Sequence, residues 1–261
     1  MTSDLLAPLA ANARISTAAL RARGAIDELL GHRVLRRRSA EVTAESALRA
    51  ARASAALDGE HMELERLRGL LVHGTPVDHP YLEAAVRLHA GLGDLVEVWK
   101  HSPSQALARL HVLAGVGLVA NEDDLGRPRI LPLQGAPTPI EVAVRLEGLN
   151  RVLLEPTTAP AVVTAAIVHG ELMALRPFVV ANGLVARAAS RLTLIARGVD
   201  PKACSAPEVG HWELHETYPT ALASYIAGDV ETWIEHCCDA LELGALEGRA
   251  ICEALLRADS P

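Results

Sequence analysis

The residues most able to do chemistry lie in one stretch, HGELMALRPFVVANGLVARAASRLTLIARG, from His169 to Gly198. Two Ala-rich apolar segments flank the interruption RPFVVANG. Pro177 has no N–H to donate and crowds the preceding turn, so a helix should end there. Asn182-Gly183 suits a tight turn with positive φ, with Gly183 opening a second helix from Leu184. A helix that begins beside a loop turns its free N–H groups toward it and carries roughly +0.5 charge at that end, which suits an anion. Arg187 stands one turn into that helix and Arg176 at the other end of the loop. The chemistry on offer is anion binding, against the plainer reading of a turn between two buried helices.

The spacing carries a second signal. RPFVVANGLVAR resembles the motif of Fic (Fido-domain) proteins, commonly written H-P-F-x-(D/E)-G-N-G-R-x-x-R, with Pro177, Phe178, Asn182, Gly183 and Arg187 matching in place. Upstream, AAIVHGELMAL resembles the helix leading into that motif. ARASAALDG resembles the inhibitory-helix motif (S/T)-x-x-x-E-(G/N), with Ser54, Asp58 and Gly59 in register, and YIAGDVETWIEHC looks like the family's closing helices. The resemblance spans roughly residues 45–240. It implies an all-α Fido-type helical domain with a short β-hairpin flap and an N-terminal helical extension. It also implies a phosphate or nucleotide site at Arg176, Phe178, Asn182, Gly183 and Arg187, and an inhibitory pair, Asp58 with Arg187. Asp is one methylene shorter than the family's Glu, so a longer or water-bridged contact is expected. The competing reading is that Asp58 caps a helix beginning near Glu60.

The departures are as informative as the matches. In the family the motif His is the general base for nucleotidyl transfer; here that position is Arg176, a guanidinium that stays protonated and cannot accept a proton. The acidic metal-holding position is Val180, whose alkyl chain offers no oxygen to a hard cation. The first motif arginine is replaced by Leu184, which removes a charged donor to phosphate. Ala181, in place of the first glycine, is the mildest change. No substitute base stands out. His169 lies seven residues back, about 10 Å along a helix, and reads as a satisfied core histidine, while Glu171 should point elsewhere. No catalytic residue is therefore assigned, no metal set is assigned, and the cofactor expectation is an ATP-like nucleotide held without metal.

The elements that must position this loop are helices. Of 261 residues, half are apolar but only 3% aromatic, with a single Phe, so the core is built from Leu, Val, Ile and Ala. Helical periodicity predicts helices near 12–30, 40–57, 60–72, 80–101, 104–119, 138–154, 160–175, 184–197, 215–227 and 229–256. The Gly/Pro/Asp-rich stretch 121–139 is the exception and reads as a small hairpin or an irregular flap. Pro128 and Pro132 lack the N–H groups that an added target strand would use. The expected organisation is an N-terminal extension over 1–45, a Fido-like domain over 46–240, and a helix end over 241–261.

Net charge is −7, which argues against nucleic acid, and the basic run at 31–41 reads as a solvated face. No segment reads as a membrane span or a secretory leader. With four cysteines, including adjacent Cys237 and Cys238, and no CxxC knuckle, the expectation is a cytoplasmic protein with reduced thiols. His211 and His215 are spaced i, i+4 but show no zinc-helix order and no third ligand; His73, Asp78 and His79 read as turn chemistry. GVGLVANEDDLG lacks the strand-then-GxGxxG context of a dinucleotide site. Three functions stay open. One is a degenerate Fido protein, a pseudoenzyme holding a nucleotide or other phosphorylated ligand in a regulatory role. The others are an active nucleotidyl- or phosphotransferase with non-standard residues, and a helical interaction scaffold with an empty pocket. A protein partner and a homodimer are also expected, the latter from the Ala-rich helices.

Overall fold

The structure, a computed structural model, describes residues 4–258; the last three residues of the expected 241–261 segment lie outside them. Every regular element among the described residues is helical. Besides short 3-10 turns, the α-helices are, in chain order, α1 (Ala7–Ala10), α2 (Ala13–Leu30), α3 (Ser39–Leu57), α4 (Leu64–Val72), α5 (Pro80–Ala90), α6 (Val96–His101) and α7 (Pro103–Gly115). Then follow α8 (Pro139–Leu154), α9 (Ala161–Leu175), α10 (Asn182–Ala196), α11 (Pro207–Glu213), α12 (Tyr218–Ile226) and α13 (Val230–Ala258). No helix among the described residues is long and apolar enough to cross a membrane.

The packing follows from sequence pattern. The segment AVVTAAIVHGELMAL is apolar on every face, and α9 is accordingly central, with Val163, Val168, Leu172 and Leu175 buried. It lies against α10, whose LVARAASRLTL run buries Leu184, Val185, Ala188 and Leu192. The amphipathic α13, 29 residues and about 43 Å long, packs along α2 and covers α11 and α12. The N-terminal helices are part of this core: Ile15, Ile26 and Leu29 of α2 share one apolar cluster with Val163, Leu194, Ile234 and Cys252. At roughly 1.5–3 kcal/mol per buried aliphatic side chain, such clusters dominate the stabilising side of folding. Side chains cap the starts of α2 and α8. Asn12 accepts from the N–H groups of Arg14 and Ile15, and Thr138 with Glu141 forms a reciprocal capping box with Pro139 at N1.

Several expectations need correction. The β-hairpin flap is absent, since no strand occurs among the described residues. In its place, residues 128–138 wrap around the buried guanidinium of Arg129. Its Nη1 donates to Leu131 O at 3.1 Å, its Nη2 to Pro137 O at 2.5 Å and its Nε to Arg176 O at 2.9 Å. Carbonyls that a partner strand would need are thus taken by one side chain, and Pro128, Pro132 and Pro137 supply no ladder donors. The expected helix 80–101 is broken over residues 91–95, which include a 3-10 turn at Gly93–Leu95, into α5 and α6, and the one expected from residue 60 starts at Leu64. The seven-residue α11 escaped notice because it is too short for a periodic pattern; its one signal is Pro207 in the first turn.

Candidate functional site

The loop between α9 and α10 is held by three devices. First, Arg176 ends α9 in the left-handed region (φ 46°), with its N–H on Leu172 O at 3.0 Å, and Pro177 then forbids another turn. Second, Phe178 is buried, its ring stacked on His111 at 4.0 Å between centroids and 4° between planes. Third, Asn182 folds back on the loop: its Oδ1 accepts from Phe178 N–H at 2.9 Å and its Nδ2 donates to Phe178 O at 2.8 Å. The expected contributions of Phe178 and Asn182 are therefore architectural, because both polar ends of the Asn182 side chain serve the loop itself. His111, which no motif in the sequence marks, completes the seat by accepting from Gly126 N–H at 2.9 Å through Nδ1. Burial pushes its pKa down to about 4, against a weaker raising effect of the Val180 backbone.

The positive φ expected at Asn182-Gly183 falls instead on Ala181 (φ 59°), and α10 begins at Asn182 rather than Leu184. Gly183 is required for a different reason. A Cβ there would stand 2.5 Å from Asp58 Oδ1 and 3.0 Å from Arg187 Nη2. No side chain of its own N-cap satisfies the first turn of α10, and the Asp58 carboxylate lies beside Gly183 in that turn.

Asp58 reaches that space from the end of α3. It is the C-cap of α3, not the cap of a following helix, and Gly59 (φ 94°) then takes the chain away in a conformation that other residues adopt only under strain. Arg187, its side chain 1% exposed, donates from Nη2 to Asp58 Oδ2 at 2.6 Å. The contact is direct, so the shorter acid needs no bridge. Arg187 also donates from Nε to Ser54 Oγ at 2.8 Å and from Nη2 to Ser54 O at 2.9 Å. Ser54 and Asp58 are four residues apart on one helix face, which lets both meet a single guanidinium. Burial works against the charge on Arg187, but Asp58 and the Tyr218 hydroxyl more than offset it and its pKa is raised. One turn further along α10, Arg191 donates to Ser46 Oγ at 2.9 Å and to Glu208 Oε2 at 3.0 Å. Two arginines of α10 thus clamp α3 at two heights.

The remaining motif positions show what the site lacks. Leu184 is fully buried in the core. Val180 is half-buried and packs on the same cluster. The half-buried Arg176 donates from Nη2 to Gln134 O at 3.3 Å. Glu171 is engaged elsewhere, in a two-point pair with Arg145 at 2.8 and 2.7 Å and as acceptor from the Tyr225 hydroxyl. His169 is buried but only half satisfied: its Nε2 meets Tyr218 Oη at 2.8 Å, while Nδ1 has no partner. His211 and His215 do not form a pair on one face, because α11 stops at Glu213, leaving His211 buried and His215 exposed. His73 and Asp78 are exposed and His79 half-buried ahead of α5, as turn residues.

No protein-family model matches the chain, and no curated protein matches it. Solved structures do resemble it. A Fic family protein from Desulfovibrio desulfuricans G20 superimposes with a TM-score of 0.76 at 23% identity, over 92% of this chain and 75% of that one. Fic-1 from C. elegans gives 0.73 at 17% identity, over 92% and 73%. A Fic domain containing signaling protein from Bacteroides thetaiotaomicron VPI-5482 gives 0.62 at 14%, over 93% and 98%.

Proposed function

We propose that this chain, which has the fold of Fic-family proteins, is a phosphate-binding regulatory protein that has given up nucleotidyl transfer. The observation that carries the reading is the Asp58 carboxylate at the first turn of α10, paired with the buried Arg187. An anionic ligand would compete for that place, beside the positive end of α10 and on the Arg187 guanidinium. A phosphorylated ligand, nucleotide or otherwise, binds by displacing the carboxylate, and Asp58 is then an internal competitor. Transfer chemistry has no visible agent. Arg176 cannot accept a proton, Val180 cannot ligate a metal, and the nearby Glu171 is paired with Arg145. Loss of a base and a metal ligand together removes many powers of ten in rate.

The test is transfer of label from α-³²P ATP, GTP, CTP or UTP to proteins of a lysate. It compares the native protein with a variant carrying Arg176→His, Val180→Asp and Leu184→Arg, both in the Asp58→Ala background. The reading expects ligand retention by both and labelling by the restored variant alone. Labelling by the native residues would replace it with an active transferase using an unrecognised base. Neither retention nor labelling would leave a helical scaffold.

A further inference from the structure

We propose that His169, His211 and Cys237 form a binding site for a single Zn²⁺ ion, separate from the α9–α10 loop. One donor atom from each of the three lies within 4.8 Å of the others. They come from three helices, α9, α11 and α13, far apart in sequence, so the cluster is a product of the fold. His169 and His211 are buried; Cys237 is half-buried as a residue with its thiol enclosed.

The hydrogen bonds around the cluster select the coordinating atoms. His169 Nε2 is committed to Tyr218 Oη at 2.8 Å, and Nδ1, fully buried, has no partner at all. An orphaned ring nitrogen in the interior is costly unless something satisfies it. His211 Nδ1 faces His236 Nε2 at 3.2 Å, leaving its Nε2 for the ion. Each ligand histidine thus has its second nitrogen oriented by an outer partner, Tyr218 for one and His236 for the other, as metal-bound histidines generally do. Trp233 packs edge-on against His169 at 5.0 Å, with its Nε1 on Ala166 O at 2.8 Å, and closes the wall.

Two imidazoles and a thiolate are a borderline-soft set that favours zinc over calcium or magnesium. Metal–nitrogen bonds of about 2.0 Å and metal–sulfur of about 2.3 Å need the donors somewhat closer together, a contraction of about 1 Å that side-chain rotation supplies. On binding, the Cys237 thiol releases its proton to solvent and the imidazoles bind neutral. Three protein ligands leave one tetrahedral position for water. The ion would tie the helix that leads into the loop to the two C-terminal helices that back it.

The experiment loads the metal-stripped full chain with Co²⁺, then displaces it with Zn²⁺. The site predicts one Co²⁺ per chain, a thiolate-to-cobalt absorption in the near ultraviolet, visible bands of tetrahedral strength, and loss of both on adding Zn²⁺. Cys237→Ser abolishes the near-ultraviolet band while Cys238→Ser keeps it. Zn²⁺ raises the melting temperature of the native chain by several degrees and leaves that of Cys237→Ser in place. The melting shift of the native chain reads the site without any variant, so a misfolded variant cannot rescue the idea. No stoichiometric Co²⁺, a thiolate band that survives Cys237→Ser, or no melting shift with Zn²⁺ would each overturn it.

Discussion

At the scale of single residues, Asp58 and Gly183 are matched to one another. Gly183 leaves the room that the Asp58 carboxylate fills, so Gly183→Ala forces a Cβ to within 2.5 Å of Oδ1 and must push the carboxylate off Arg187. Overpacking of this kind costs about 1–3 kcal/mol, read as a lower midpoint in urea unfolding with unchanged slope. Asp58→Ala removes the acid without adding bulk and leaves Arg187 buried with only Ser54 and the neutral Tyr218 hydroxyl beside it. Because Asp58 is itself partly exposed, the expected loss is about 1–3 kcal/mol, again by urea. A simple helix cap and an internal competitor both predict that loss. Only the competitor predicts that the same variant binds phosphate ligands more tightly.

At the scale of elements, the flap and the α3 clamp behave as separate units. Arg129 alone joins four carbonyls, those of Leu131, Pro137, Arg176 and, at 3.4 Å, Leu175, while its N–H reaches Pro177 O at 2.8 Å. Arg129→Ala should release residues 121–138, so limited proteolysis cuts there first while the helices survive. Arg129→Lys should not rescue it, since one ammonium cannot span that fork of acceptors. The sequence made the helices legible where period and caps agreed, as in α2 and α8, or where a long segment is apolar on every face, as in α9. It hid the flap's form, because Pro and Gly announce an irregular segment without saying which side chain organises it. Likewise the resemblance of RPFVVANG and SAALDG to Fic motifs announced the Asp58–Arg187 partners, but not that Asn182 would spend its amide on Phe178 or that Ala181 would take the left-handed turn. Those choices depend on His111 and α3, which meet the loop only in three dimensions. Release of Asp58 should also be local, because Arg191, Ser46 and Glu208 hold α3 independently.

At the scale of the whole molecule, helix packing leaves histidines inside with little to bond. His89 has no hydrogen-bond partner on either nitrogen, only Glu208 Oε1 at 3.8 Å, and burial lowers its pKa to about 4, as burial also does for His111. Both are neutral when folded at pH values where the unfolded chain, near 6.5, is protonated. Stability from these two is therefore complete above about pH 6.5 and drains away as pH falls toward 4. Each contributes about 3 kcal/mol across that interval. Thermal unfolding from pH 7 to pH 4.5 should show a steep fall in melting temperature with net proton uptake on unfolding, where a flat profile would mean these rings are solvated. The proposed function has a carboxylate of the protein, Asp58, competing with phosphate for Arg187. It is tested most directly by calorimetric titration of the native chain and of Asp58→Ala with ATP in EDTA, alongside inorganic pyrophosphate. Asp58→Ala should bind at least tenfold more tightly, and adding Arg187→Ala should abolish that binding. Equal affinity in the two proteins, or binding that survives loss of Arg187, would contradict it.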